Sequence, residues 1–173
     1  MMQHAEKKVF LHPGDFCFTR GNTHIHTLLG SCISITLWHP ELRVGGMCHF
    51  TLPKYPGKDM AGRELDGRYA DDVMTLFKHA VKKNRTDIKE YEAKIFGGGN
   101  MMRDKTQNIE DSIGTKNATA AMNLLMQEEV PILVAHVGEF GHRRLVFEVS
   151  SGNVWVRHTD NDKGHTGIVD GKV

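Results

Sequence analysis

The chain has 173 residues, 39% of them hydrophobic and 25% charged, which is the composition of one globular domain and excludes collagenous, disordered and supercharged classes. Lys and Arg total 22 against 21 for Asp and Glu, so a net charge of +1 offers no broad basic field to a nucleic-acid backbone. No apolar run is long enough to span a bilayer, and the start MMQHAEKKVF lacks the apolar core of an export signal; the expected location is therefore the cytoplasm, where Cys17, Cys32 and Cys48 are free thiols.

Residues 9 to 50 read as strands broken by turns. His12-Pro13-Gly14-Asp15 is a turn cluster, and Phe16 and Phe18 alternate with Cys17 and Thr19 before a second turn at Arg20-Gly21-Asn22. From 32 to 38, Ile33, Ile35 and Leu37 alternate with Ser34, Thr36 and Trp38, the period of a strand with one buried face, and His39-Pro40-Glu41 ends it. Arg43 to Leu52 resumes as a strand in which Gly45-Gly46 marks a bulge or a close backbone approach. Lys54 to Arg63, rich in Pro, Gly and charge, reads as an exposed and mobile loop.

Asp66 is placed to cap a helix whose apolar stripe is Tyr69, Val73, Phe77, Ala80 and Val81, ending at Lys82-Lys83 before Asn84. Ala93 to Phe96 is a short strand running into Gly97-Gly98-Gly99, and a second helix from about Lys116 to Glu128 carries Ala118, Ala121, Met122 and Leu125 on one face. Strands follow at Ile132 to Val137, Leu145 to Val149 and Val154 to Val156, and the Gly/Asp-rich tail at 159–173 is expected to be loosely held. The expected fold is therefore α/β or α+β: one domain over 1–158, mostly sheet, with two helices packed on it.

Chemistry concentrates near Leu28-Leu29-Gly30-Ser31-Cys32, where a thiol follows a glycine-containing turn at the mouth of a strand. Glycine permits a tight backbone that presents a nucleophile and leaves N–H groups free for an oxyanion, so Gly30 and Ser31 are candidates for that role. His49 comes 17 residues later on the next strand. It would supply the base that a largely protonated thiol requires, and Thr27 is a polar candidate to orient its ring. The bland alternatives are a small buried cysteine and a locally bonded threonine. Cys17 and Cys48, with apolar neighbours and no preceding glycine turn, read as ordinary buried thiols. A rival constellation sets His24 and His26 on one face of a strand, with Cys17, Cys32, Cys48 or His49 completing a zinc site, although no pair has the short loop spacing of a structural site. His4, His12, His39, His79, His142, His158 and His165 stand in polar or turn contexts and are expected to be solvated. Gly97-Gly98-Gly99-Asn100 lacks both phosphate-loop patterns and reads as a bulge or tight turn.

Five strings occur in order: Thr27-Leu28-Leu29-Gly30-Ser31-Cys32; Val44-Gly45-Gly46-Met47-Cys48-His49-Phe50-Thr51-Leu52-Pro53; Gly67-Arg68-Tyr69-Ala70-Asp71; Lys94-Ile95-Phe96-Gly97-Gly98-Gly99-Asn100-Met101; and Ile113-Gly114-Thr115-Lys116-Asn117. Together they resemble the CheD family of chemoreceptor glutamine deamidases from about Val9 to Val156. The resemblance implies a papain-like division of labour on an unrelated scaffold, with Cys32 as nucleophile, His49 as general base and acid, and no metal or organic cofactor. It also implies a threonine upstream of the cysteine. In some members that residue lies six positions before the cysteine, where this chain has His26; Thr27, one residue closer, takes the role here. The family's later segment carries an Asp, paired glycines and Gly-Arg, and this chain has His136-Val137-Gly138-Glu139-Phe140-Gly141-His142-Arg143 instead. The implied partners are the cytoplasmic helical bundle of chemoreceptors and a CheC-type phosphatase. A long helical substrate implies a shallow site with the Lys54 to Arg63 loop at its rim. The alternative is a non-catalytic regulator that acts by binding receptor or phosphatase.

Overall fold

Alternating apolar residues build two five-stranded sheets in this computed structural model, which describes residues 4–102, 108–160 and 169–173. The first sheet has the order β1-β3-β8-β9-β10, from strands β1 (Lys7–Phe10), β3 (Thr23–Leu29), β8 (His142–Glu148), β9 (Val154–Thr159) and β10 (Val169–Lys172). The second has the order β2-β5-β4-β6-β7, from β2 (Phe16–Arg20), β5 (Val44–Cys48), β4 (Ile33–His39), β6 (Glu92–Gly97) and β7 (Ile132–Val137). Helices α1 (Ala70–Lys83) and α2 (Ile113–Gln127) cover the outer face of the second sheet, where Val73, Phe77, Ala118, Ala121 and Leu125 share a core with Ile33, Ile35 and Leu37. Ile25, Leu29, Met47, Phe96, Leu145 and Phe147 fill the space between the sheets. The result is an α+β domain of three layers, two sheets and a helical layer, as expected.

The layering explains where local pattern and structure part. β4 was expected to bury one face, yet Ser34 and Thr36 are as buried as Ile33, Ile35 and Leu37, because the strand is central and packed on both sides. Gly45 and Gly46 form no bulge; they pair in regular register with β2 and β4. What they permit is close approach, since a Cβ on Gly46 would stand 2.5 Å from the Cys17 carbonyl oxygen. Asp66 does not cap α1: Tyr69 is the N-cap, without a side-chain bond, and the Asp66 carboxylate instead holds Arg68. The carboxylate that organises this corner is Asp72, nearly fully buried, which takes a bidentate bond from Arg63 (2.7 and 2.7 Å) and the Asp66 N–H. The Arg63 guanidinium also lies 3.8 Å over the Tyr55 ring, so both ends of the Lys54 to Arg63 loop are tied to α1. The second helix begins three residues earlier than expected, at Ile113, because the Ser112 hydroxyl accepts from the Thr115 N–H and caps it. Of the tail, Val169–Lys172 pairs with β9 as β10.

Two histidines expected in solvent are buried. His39 accepts from the Leu42 N–H and packs edge-on against Tyr91, and the His158 ring nitrogen Nε2 sits 2.7 Å from Phe140 O. His165 lies outside the described residues.

Candidate active site

Cys32 immediately precedes β4 and His49 immediately follows β5, so one antiparallel ladder governs both. Its last pair is Ile33 with Phe50, joined in both directions (Ile33 N–H to Phe50 O, 3.1 Å; Phe50 N–H to Ile33 O, 2.9 Å). The register places His49 opposite Ser34, two residues from Cys32, which makes the thiol and the imidazole diagonal neighbours on one face of the sheet. In a regular sheet such neighbours are about 7–8 Å apart at the backbone; among the described residues no hydrogen bond joins the Cys32 sulfur to His49. The face is the one turned toward the first sheet: Cys32 packs on the core between the sheets, whereas Ile33, Cys48 and Phe50 point to the helices.

From the facing sheet, β3 presents Thr23, Ile25, Thr27 and Leu29 inward. The Thr27 hydroxyl donates to Leu11 O (2.9 Å) and lies 2.8 Å from His49 Nδ1. A hydroxyl has one proton, and Leu11 O takes it; Nδ1 must therefore carry its own proton and donate to Oγ1. The ring is fixed in the tautomer whose Nε2 lone pair is free. The His12 to Asp15 turn supports the same residue from behind, with Gly14 N–H donating to His49 O (2.8 Å) and His49 N–H to Asp15 O (3.3 Å).

Burial sets the charge state. It holds the His49 imidazole down at about 4, against a smaller upward pull from Asp15, and it pushes the half-buried Cys32 thiol above its ordinary value. At neutral pH the pair rests uncharged. Cys48 is sealed in the helix-side core, accepts from the Ile35 N–H (3.2 Å) and has its thiol pushed up to about 12. Cys17 is half-buried with its thiol also raised by burial. Cys48 therefore fits the reading of an ordinary buried thiol, whereas Cys17 is no more buried in kind than Cys32.

Among the described residues, no backbone carbonyl accepts from the N–H groups of Ser31 or Cys32, which leaves two main-chain donors at the turn, that of Cys32 facing its own sulfur. The glycine run holds that turn in place: Gly98 N–H donates to Cys32 O and Gly99 N–H to Gly30 O, each at 2.9 Å. Gly98 needs its glycine, with φ of +63° and Gly114 O 2.7 Å from where a Cβ would stand. Gly97 O is gripped in turn by Arg143, a fully buried guanidinium that also donates to Gly138 O and to His136 Nδ1. Arg143 and Asn117, which bonds Ser31 O and Thr51 O, stand within the quoted family segments, but the sequence assigns neither a role.

A cavity of about 580 Å³ opens beside the turn, lined by Ser31, Gly99 to Met102, Asn108 and Asp111 to Gly114. Exposed Met101, Met102, Ile109 and Ile113 give its surroundings an apolar, adaptable character. The Lys54 to Arg63 loop, expected at the rim, is not part of its lining. The zinc constellation is not assembled: His24 and His26 stand on the outer side of β3, where His24 pairs with Glu6 and His26 stacks on Phe10. No metal-holding group of three His, Cys, Asp or Glu side chains occurs among the described residues. None of the described helices is long and apolar enough to cross a membrane.

Residues 51–158 match the family described as CheD chemotactic sensory transduction. The chain belongs to the CheD family. The expectation from the five motifs is thereby borne out, although this matched segment begins two residues after His49 and does not include Cys32. Longer alignments reach further. A probable chemoreceptor glutamine deamidase, CheD 3 of Dechloromonas aromatica (strain RCB), is 46% identical over 149 residues, covering 86% of each chain. A probable chemoreceptor glutamine deamidase CheD of Pseudomonas savastanoi pv. phaseolicola (strain 1448A / Race 6) is 43% identical over 157 residues, 87% of this chain and 84% of that one. A more distant relative carrying the same description, CheD 1 of Leptospira interrogans serogroup Icterohaemorrhagiae serovar copenhageni (strain Fiocruz L1-130), is 35% identical over 158 residues, 88% of this chain and 93% of that one.

Proposed function

We propose that this protein hydrolyses the side-chain amide of specific glutamines on the cytoplasmic helices of chemoreceptors, with Cys32 as nucleophile, His49 as base and acid, and Thr27 positioning His49. The observation that carries this reading is the committed hydroxyl of Thr27, which leaves His49 Nε2 as an unprotonated base on the face that Cys32 shares.

His49 Nε2 takes the Cys32 proton as the sulfur attacks the carboxamide carbon, and the developing oxyanion is received by the N–H groups of Ser31 and Cys32 beside Gly30. The imidazolium returns its proton to the departing amide nitrogen, and ammonia leaves. Water, deprotonated by the same Nε2, then attacks the thioester carbon, the C–S bond breaks, and the thiol recovers its proton. One amide and one water become one glutamate and one ammonia, with no redox change and no cofactor required. The cavity at Ser31, with methionines and isoleucines around it, suits the apolar flank of a helix beside the target glutamine.

Ammonia release from a chemoreceptor cytoplasmic fragment tests the reading. Wild-type protein releases ammonia in step with a gain of about 1 Da at the target glutamine, and Cys32→Ala and His49→Ala bind the fragment without releasing any. Equal release by wild type and Cys32→Ala refutes the thiol mechanism. Binding without release by wild type favours the alternative of a regulator acting by occupancy alone.

A further inference from the structure

Beyond Ile33 and Phe50 the two strands that carry Cys32 and His49 part company. Thr51 and Leu52 turn their N–H groups to Arg68 O (2.8 and 3.1 Å), while Gly30 O and Cys32 O turn to the glycine run. An open fork is left where the next rung of the ladder would stand. Helix α2 fills it with one side chain. Asn117 has no exposed surface and donates from Nδ2 to Ser31 O (3.0 Å) and to Thr51 O (2.9 Å). No other donor reaches either carbonyl among the described residues.

Two carbonyl acceptors decide which end of the amide faces the fork, since Oδ1 placed there would meet only lone pairs. The same orientation leaves Oδ1 buried and without a partner among the described residues. An apolar side chain of similar size would avoid that penalty, so the value of this residue lies in its two donors.

We propose that Asn117 is a positioning residue that sets the approach of Cys32 to His49 and the aim of the Cys32 N–H. Ser31 enters the nucleophile and Thr51 leaves the base by two residues, so a single amide ties together the two chain segments that hold the reacting groups. The Ser31–Cys32 peptide is planar and trans, which makes its C=O and N–H antiparallel. Pinning Ser31 O toward α2 therefore directs the Cys32 N–H the other way, to the side on which an oxyanion would form. This role rests on the Cys32–His49 reading above.

The test compares Asn117→Ala and Asn117→Asp with Val81→Ala, a core variant in α1 that matches a loss of stability without touching the fork. Two readouts are taken: kcat and KM for ammonia release, and the rate of Cys32 alkylation by iodoacetamide at neutral pH, followed by peptide mass. Both Asn117 variants are expected to lower kcat about 10- to 100-fold with KM within about threefold, and to slow alkylation about tenfold. Val81→Ala should leave both unchanged. Wild-type kcat and alkylation in Asn117→Ala overturn the proposal. His49→Ala separates the two levels: if its Cys32 alkylates like wild type, the Cys–His reading itself fails, whereas slow alkylation in His49→Ala with a normal rate in Asn117→Ala removes only the role of Asn117. Should neither Asn117 variant fold, hydrogen exchange of the Asn117 side-chain amide in the wild-type protein decides. Protection relative to exposed Asn123 supports the clamp, and exchange as fast as that of Asn123 overturns it.

Discussion

Replacing Thr27 with valine removes one oxygen and keeps the shape. The oxygen has two partners, Leu11 O at 2.9 Å and His49 Nδ1 at 2.8 Å, and both bonds are buried. Each group stranded in the interior costs about 1–3 kcal/mol, so Thr27→Val should lower stability by about 2–4 kcal/mol once partial relaxation is allowed for. The effect on turnover has a separate origin. Without the hydroxyl the ring is no longer held with its proton on Nδ1, and the loss of one orienting bond of about 1–2 kcal/mol corresponds to about a 5- to 30-fold drop in kcat. KM should scarcely move, because Thr27 is buried and is not one of the residues lining the cavity. The assay is steady-state ammonia release from a receptor fragment, paired with denaturant unfolding. Thr27→Ser keeps a hydroxyl within reach and should recover most of the rate. A Thr27→Val protein with undiminished kcat, or a Thr27→Ser protein as slow as Thr27→Val, refutes the claim that this hydroxyl governs the ring.

His49 should make stability depend on acidity. Its imidazole is held at about 4 when folded and titrates near 6.5 when unfolded, so between those values the unfolded chain binds the extra proton, and stability falls as pH falls through the window by up to about 3 kcal/mol. Unfolding midpoints from pH 8 to pH 4 check this, and His49→Asn should flatten that part of the curve; an equal slope in both proteins contradicts the assignment. The three thiols should differ in reactivity, with Cys32 alkylated first and Cys48 last, because Cys48 is sealed in the core with its thiol near 12; peptide mass mapping that finds Cys48 modified before Cys32 disproves the ordering. Gly98→Ala must place a side chain at φ of +63° and 2.7 Å from Gly114 O. It should cost about 1–2 kcal/mol in backbone conformation alone and slow ammonia release by disturbing the Cys32 carbonyl; a variant as stable and active as wild type would show that the turn has room to spare.

Strand period carried most of the fold, because β3, β8 and β9 keep one face on the core and the other on solvent. It misled where burial is two-sided, as at Ser34 and Thr36, since neighbours on both faces are contributed by distant segments and leave no mark on local alternation. Alternation also held the answer to which residue before the cysteine meets His49. Ile25 and Leu29 point inward, and with period two so must Thr27, while His26 turns outward to Phe10. Fixed offsets counted back from the cysteine favoured His26, but the face of the strand decides. His39 and His158 were misjudged because their turn-like surroundings in sequence are covered by Tyr91 and by Phe140 O, which fold back from elsewhere. Asn117 had a faint signal: a polar residue beside Ala118, within a helix whose Ala118, Ala121 and Leu125 face the core.

The resting charge of the pair constrains how the site can work. A thiol raised by burial beside an imidazole held at about 4 does not exist as a thiolate–imidazolium pair in the free protein. In the proposed mechanism deprotonation of Cys32 is therefore uphill and has to coincide with attack, when negative charge passes to the amide oxygen and the main-chain donors meet it. In that mechanism two features lower the ascent without a permanent charge: an Nε2 lone pair presented at all pH values above about 4, and a turn whose carbonyls are held by Asn117 and the glycine run. A thiol kept protonated until substrate arrives is also a poor target for oxidants, since the thiolate is the species they attack. On this reading the buried geometry gives up some intrinsic nucleophilicity and gains a nucleophile that loses its proton to His49 only as it attacks an electrophile.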